Sequence, residues 1–109
     1  MGNKYIQIQT TFNKREEAVK FAELILDVQI VACGQISEIE SFYNFEGKRC
    51  HDKEYRLSIK TRTALYNECE AFIKAHHPYK VPQIIAVQII AGSLDYLDWI
   101  DENTKRQED

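Results

Sequence analysis

From Tyr5 to Thr11 the chain alternates, with Ile6 and Ile8 on one parity and Gln7 and Gln9 on the other, which predicts a half-buried β-strand. The period then changes. Ala18, Val19, Ala22, Ile25 and Leu26 recur at helical spacing, beside a second apolar row of Phe21, Leu24 and Val28. A helix is expected from an N-cap at Asn13 to about Asp27, covered on more than one side. Glu16 completes a capping-box spacing with Asn13. Ile30 to Phe45 reads as a long strand whose apolar parity slips between Ile36 and the set Ile39, Tyr43 and Phe45, as a β-bulge would produce. Glu46-Gly47-Lys48 reads as a tight turn, with the tip open to any residue from Glu46 to Lys53, and leads to Tyr55, Leu57 and Ile59 on the returning strand of a long hairpin.

Thr63 is placed to cap a second helix, in which Leu65, Cys69, Phe72 and Ile73 form an apolar stripe that extends to His76. Pro78 stops that helix, and the two prolines, Pro78 and Pro82, bias His77 and Val81 toward extended backbone. Ile84 to Ile90 is nearly uninterrupted apolar, the pattern of a strand buried on both faces. Ser93 can cap a short last helix carrying Leu94, Leu97 and Ile100, and residues 103–109 are polar and expected to fray. The order βαββαβ plus a C-terminal helix predicts an α+β, ferredoxin-like split βαβ sandwich, one domain over 1–109 with an ordered core of about 4–102. Right-handed crossovers put the first and third strands at the centre and the second and fourth at the edges. The most apolar strand would then be an edge. A bare apolar edge aggregates, so neighbouring subunits are expected to cover it and the chain to form a homo-oligomer.

Composition narrows the partners. At 109 residues with a formal net charge of -3, the chain lacks the basic surface that nucleic acid requires. No apolar run approaches the ~20 residues that span a bilayer, and Met1-Gly2-Asn3-Lys4 does not begin an apolar signal segment. The three cysteines, Cys33, Cys50 and Cys69, are odd in number and form no Cys-x-x-Cys pair. Neither a disulfide framework nor a structural zinc site is expected, and a reducing, cytoplasmic setting follows. Cys33 and Cys69 read as small buried hydrophobes.

Four groups of residues could carry chemistry. His76 and His77 are imidazoles suited to copper or zinc, although adjacent residues seldom face one ion. The plainer reading packs His76 inside and leaves His77 at the helix end. Cys50-His51-Asp52 offers three donor types but reads as an exposed loop. Tyr43, Glu46, Lys60 and Tyr79 could form a polar-aromatic pocket with Lys60 as its charged anchor, or simply pack at an interface. Tyr96 and Trp99, three apart on the last helix, are core or interface anchors. Isolated glycines give no phosphate loop, and no nucleophile has a recognisable base partner, so an enzyme is not expected.

Several motifs fall together in order: Ala32-Cys33, Tyr43-x-Phe45-Glu46-Gly47-Lys48, Glu54, Lys60-Thr61, His77-Pro78-Tyr79-x-Val81-Pro82-x-Ile84-Ile85 and Gly92-x-x-x-Tyr96-Leu97-x-Trp99-Ile100. With these the chain resembles the CutA family of divalent-cation tolerance proteins across residues 5–100. The resemblance implies a cytosolic homotrimer of ferredoxin-like subunits, similar in architecture to the PII signalling proteins, with a role in tolerance of copper and other divalent metals. The ligands it suggests are His76, His77 and a cysteine late in the first strand, where this chain has Thr10, a poorer donor for copper. The sequence also departs from the family at Asn44-Phe45, where an aromatic pair ending in Trp is frequent. The alternative is a PII-like signalling or scaffolding trimer that binds a small anionic metabolite or an unidentified protein partner.

Overall fold

The structure, a computed structural model, describes residues 4–106. Strands β1 (Tyr5–Phe12), β2 (Cys33–Phe45), β3 (Lys48–Arg62) and β4 (Ile85–Gln88) form one antiparallel sheet in the order β2-β3-β1-β4. Helices α1 (Arg15–Asp27), α2 (Tyr66–His76) and α3 (Leu94–Glu102) complete an α+β, ferredoxin-like fold. The alternation in β1 sends Ile6, Ile8 and Phe12 to one face, where they meet Leu57 and Ile59 of β3 beneath Ala18, Phe21 and Ile25 of α1 and Cys69 and Ile73 of α2. On the opposite face, Ile100 and Leu97 of α3 cover Tyr5 and Ala32 at one end, and Thr11 and Glu54 are buried near Tyr79 at the other. Ser93 caps α3, its Oγ accepting from the Tyr96 amide.

The central and edge strands fall where the crossover rule puts them, but several local expectations change. The β2–β3 register runs unbroken from Cys33 opposite Lys60 to Phe45 opposite Lys48, so there is no bulge. The apolar parity shifts because the outer half of the hairpin leaves the body of the molecule, and Phe42, Tyr43 and Phe45 are all exposed. The turn is Glu46-Gly47, whose φ values of 51° and 79° give the two left-handed positions of a tight hairpin turn. Lys14, not Asn13, is the N-cap of α1, and it makes no side-chain cap. Thr63 opens a 3-10 turn (Thr63–Leu65) ahead of α2 instead of capping it. Only one side of α1 is covered, since Leu24, Leu26 and Val28 are exposed.

Two further corrections concern the ends of the sheet. Within one chain β4 is not buried on both faces: Ile85 is 46% exposed, Val87 50% and the following Ile90 83%. The segment after α3 does not fray through residue 106. Thr104 is buried and its Oγ1 accepts from Arg62 Nε at 2.9 Å, while Lys105 N donates to Gln29 O at 2.8 Å. Asp101 lies amid Lys4, Arg62 and Arg106, and its hydrogen bond to Arg106 holds its carboxyl below the usual range. Residues 107–109 lie outside the described residues.

Candidate functional site

The stretch from His76 to Val81 joins the end of α2 to the approach to β4. His76 is exposed, not on the inward stripe of α2, because the stripe ends at Ile73 and the helix stops one turn later. Its ring stacks on Phe72 with centroids 4.1 Å apart, and Nδ1–H donates to Phe72 O at 2.9 Å. That tautomer leaves the lone pair on Nε2.

His77 is built in. Its ring stacks on Phe12 at 4.4 Å, Nε2–H donates to Thr11 O at 2.8 Å, and Nδ1 accepts from the Tyr79 amide at 3.0 Å. Both nitrogens are therefore committed to the backbone, and burial holds the imidazole below its ordinary pKa. A metal ligand needs a free nitrogen lone pair, and His77 has none. Thr10 is buried on the helix-facing side of β1, and its Oγ1 has no hydrogen-bond partner. Among the described residues no three His, Cys, Asp or Glu side chains converge on one point. The donors of a single chain therefore do not fit a closed metal centre: His76 offers one nitrogen, whereas borderline metals take four ligands.

Cys50, His51 and Asp52 lie on β3, not in a loop, and alternation separates them. His51 stacks on Phe42 at 4.1 Å and its Nε2 meets Glu40 Oε1 at 2.8 Å. Asp52 accepts a hydrogen bond from the Tyr43 hydroxyl on the opposite face. That bond pushes the Tyr43 pKa up to about 12.

Of the expected pocket residues, the structure brings together Tyr43 and Tyr79 only. They line a cleft of about 700 Å³ with Asn13, Phe45 and Glu54. The Tyr79 hydroxyl lies 2.8 Å from Glu54 Oε2 and 2.7 Å from Asn13 Oδ1. Both oxygens are acceptors, so the hydroxyl's single hydrogen is divided between them. Burial, and then Glu54, raise the Tyr79 pKa. Glu46 sits at the hairpin turn, away from this cleft. Lys60 is elsewhere, donating to Gln35 Oε1 at 3.0 Å and to the Tyr96 hydroxyl at 3.3 Å. Cys33, paired with Lys60 across the strands, is half-buried with Sγ 3.8 Å from the same hydroxyl. Tyr96 stacks with Trp99 at 5.6 Å, and both remain partly exposed. Cys69 is fully buried, donates to Ile30 O, and has its pKa pushed up to about 12 by burial.

Glu54 and Asn13 were missed as cleft residues. Glu54 occupies the same β3 face as Asp52, which period-two counting could have shown, but Asn13 reaches the cleft only through the return of the chain at Tyr79.

Residues 6–103 match the family model of the CutA1 divalent ion tolerance protein. The chain belongs to the CutA1 family. It is 40% identical to the divalent-cation tolerance protein CutA of Pyrococcus horikoshii over 93% of this chain and 99% of that protein. It is 36% identical to its Thermus thermophilus counterpart over 86% and 92% of the two chains. The crystal structure of CutA1 from Shewanella sp. SIB1 superposes with a TM-score of 0.92 at 32% identity, covering 97% of this chain and all of that one. That of CutA1 from Oryza sativa gives 0.92 at 36% identity, over 97% and 98%. A relative from Arabidopsis thaliana is described as chloroplastic, and one from Archaeoglobus fulgidus as periplasmic. No helix among the described residues of this CutA1-family chain is long and apolar enough to cross a membrane.

Proposed function

We propose that this chain acts in divalent-cation response as a cytoplasmic homotrimer without catalysis, taking copper or another divalent cation weakly through His76. One observation carries the reading: a CutA1-family chain leaves its most apolar strand, β4, bare on the edge of its sheet. Such an edge favours a second copy, and the exposed apolar residues of the hairpin arm offer the complementary surface. Assembly would add to the cation reading, because the Nε2 lone pair of His76 in each chain becomes several donors when copies meet.

Copper(II) titration by calorimetry tests it on wild type, His76→Ala and His77→Gln. Loss of binding in His76→Ala, with His77→Gln close to wild type, is the expected result. Equal binding in all three proteins would contradict it.

A second reading rests on Lys60, whose ammonium is met by the neutral oxygens of Gln35 and Tyr96 and, among the described residues, by no carboxylate within 4.0 Å. Such a cation suits a small anionic metabolite in a PII-like trimer. A thermal-shift screen of carboxylate and phosphate metabolites, repeated on Lys60→Ala, would reveal it as a stabilisation that the variant loses.

A further inference from the structure

The cleft between the hairpin and the Tyr79–Gln83 segment contains neither His76 nor Lys60, and its chemistry differs from both. Its volume of about 700 Å³ is that of a small-molecule site. Tyr43, Phe45 and Tyr79 line it with aromatic surface. Between them lies Glu54, only 9% exposed. Its Oε2 accepts from Tyr79, yet no Lys, Arg or His nitrogen lies within 4.0 Å of its carboxylate among the described residues. A carboxylate withdrawn this far from water is unfavourable without a cation. Lys80, the chain's own cation on the lining, is exposed and makes no such pair.

Asp52 stands two residues along the same face of β3, about 7 Å from Glu54 by strand geometry. It is tied to the Tyr43 hydroxyl. The bond to Asp52 raises the Tyr43 pKa, and burial and then Glu54 raise that of Tyr79, so both hydroxyls keep their protons. Two carboxylates so spaced, walled by rings, do not supply the ~6–8 oxygens that calcium or magnesium requires. Aromatic faces beside a buried acid do suit an organic cation, which gains from the rings and is neutralised by the carboxylate.

We propose that this cleft binds an organic cation, a primary ammonium or guanidinium on an alkyl chain, with its charge at Glu54 and its chain against Tyr43, Phe45 and Tyr79, the first of them held by Asp52 from outside the lining. The same chemistry has two sources: a free polyamine, or a lysine or arginine side chain from a second copy.

Calorimetry with spermidine, together with sedimentation velocity, on wild type, Glu54→Gln and Asp52→Asn separates them. Saturable spermidine binding to wild type, weakened about tenfold by Glu54→Gln and less by Asp52→Asn with no change in mass, supports a free amine. Absence of spermidine binding, with self-association weakened about tenfold in both variants, supports a side chain from a second copy. Asp52 is exposed on the hairpin and positions the Tyr43 ring of the cleft, so its variant reports on the cleft even where Glu54→Gln unfolds. Spermidine affinity equal in all three proteins, or no effect on either binding or association, overturns the proposal.

Discussion

The Thr10 hydroxyl lies on the same face of β1 as Ile8 and Phe12 and opposite Leu57, where the core has no acceptor for it. An unpaired buried hydroxyl costs free energy, whereas an apolar group of the same shape does not. Thr10→Val is therefore expected to stabilise the fold by about 1 kcal/mol, read as a higher midpoint in urea; a lower midpoint would contradict the packing described. His77 gives a pH dependence of definite sign. Burial lowers its folded-state pKa below the ordinary 6.5, so the unfolded chain takes up the proton first as pH falls. Stability is complete above about pH 6.5 and declines below it toward the folded-state pKa. In His77→Gln, which keeps a donor and an acceptor, the decline between about pH 7 and pH 5 should be shallower. A curve parallel to that of wild type would exclude His77 as its source. Neither point was legible in the sequence, because a one-dimensional pattern does not show which backbone carbonyl an imidazole meets across the sheet.

At the level of elements, periodicity located every strand and helix within a few residues, since each buries one face against the same core. It failed where an element leaves that core. The parity slip between Ile36 and Ile39 suggested a bulge, yet the ladder is regular; beyond Glu38 neither face of β2 is buried under a helix, so apolar residues no longer need one parity. The apolar run in β4 was read as two-sided burial, and the structure leaves that apolar surface open. Both misreadings mark surfaces that one chain does not cover. A charge at the middle of β4 should therefore disturb assembly more than folding. Val87→Lys, at a residue half-exposed in the single chain, is expected to keep the wild-type circular dichroism spectrum while shifting the sedimentation coefficient toward a monomer. A variant that unfolds, or one that assembles as wild type does, would contradict this view of the strand.

For the molecule as a whole, the extents of 44 × 26 × 23 Å record a body with a protruding arm. The α+β order, the central strands and the family were all legible, because they rest on patterning and on motifs around His77-Pro78-Tyr79 and Tyr96-Leu97-x-Trp99. The candidate site was legible only in part. Tyr43 and Tyr79 do line one cleft, but Lys60 and Glu46 lie apart from them, since strand alternation and the hairpin's length disperse residues that the sequence groups. The bare edge and the exposed arm are surfaces that further copies would cover, and the proposal is that the working unit is three copies. Sedimentation equilibrium of the purified protein tests it most directly. The account predicts a mass about three times the 12.8 kDa of one chain, stable on dilution; a well-behaved species of 12.8 kDa would contradict it.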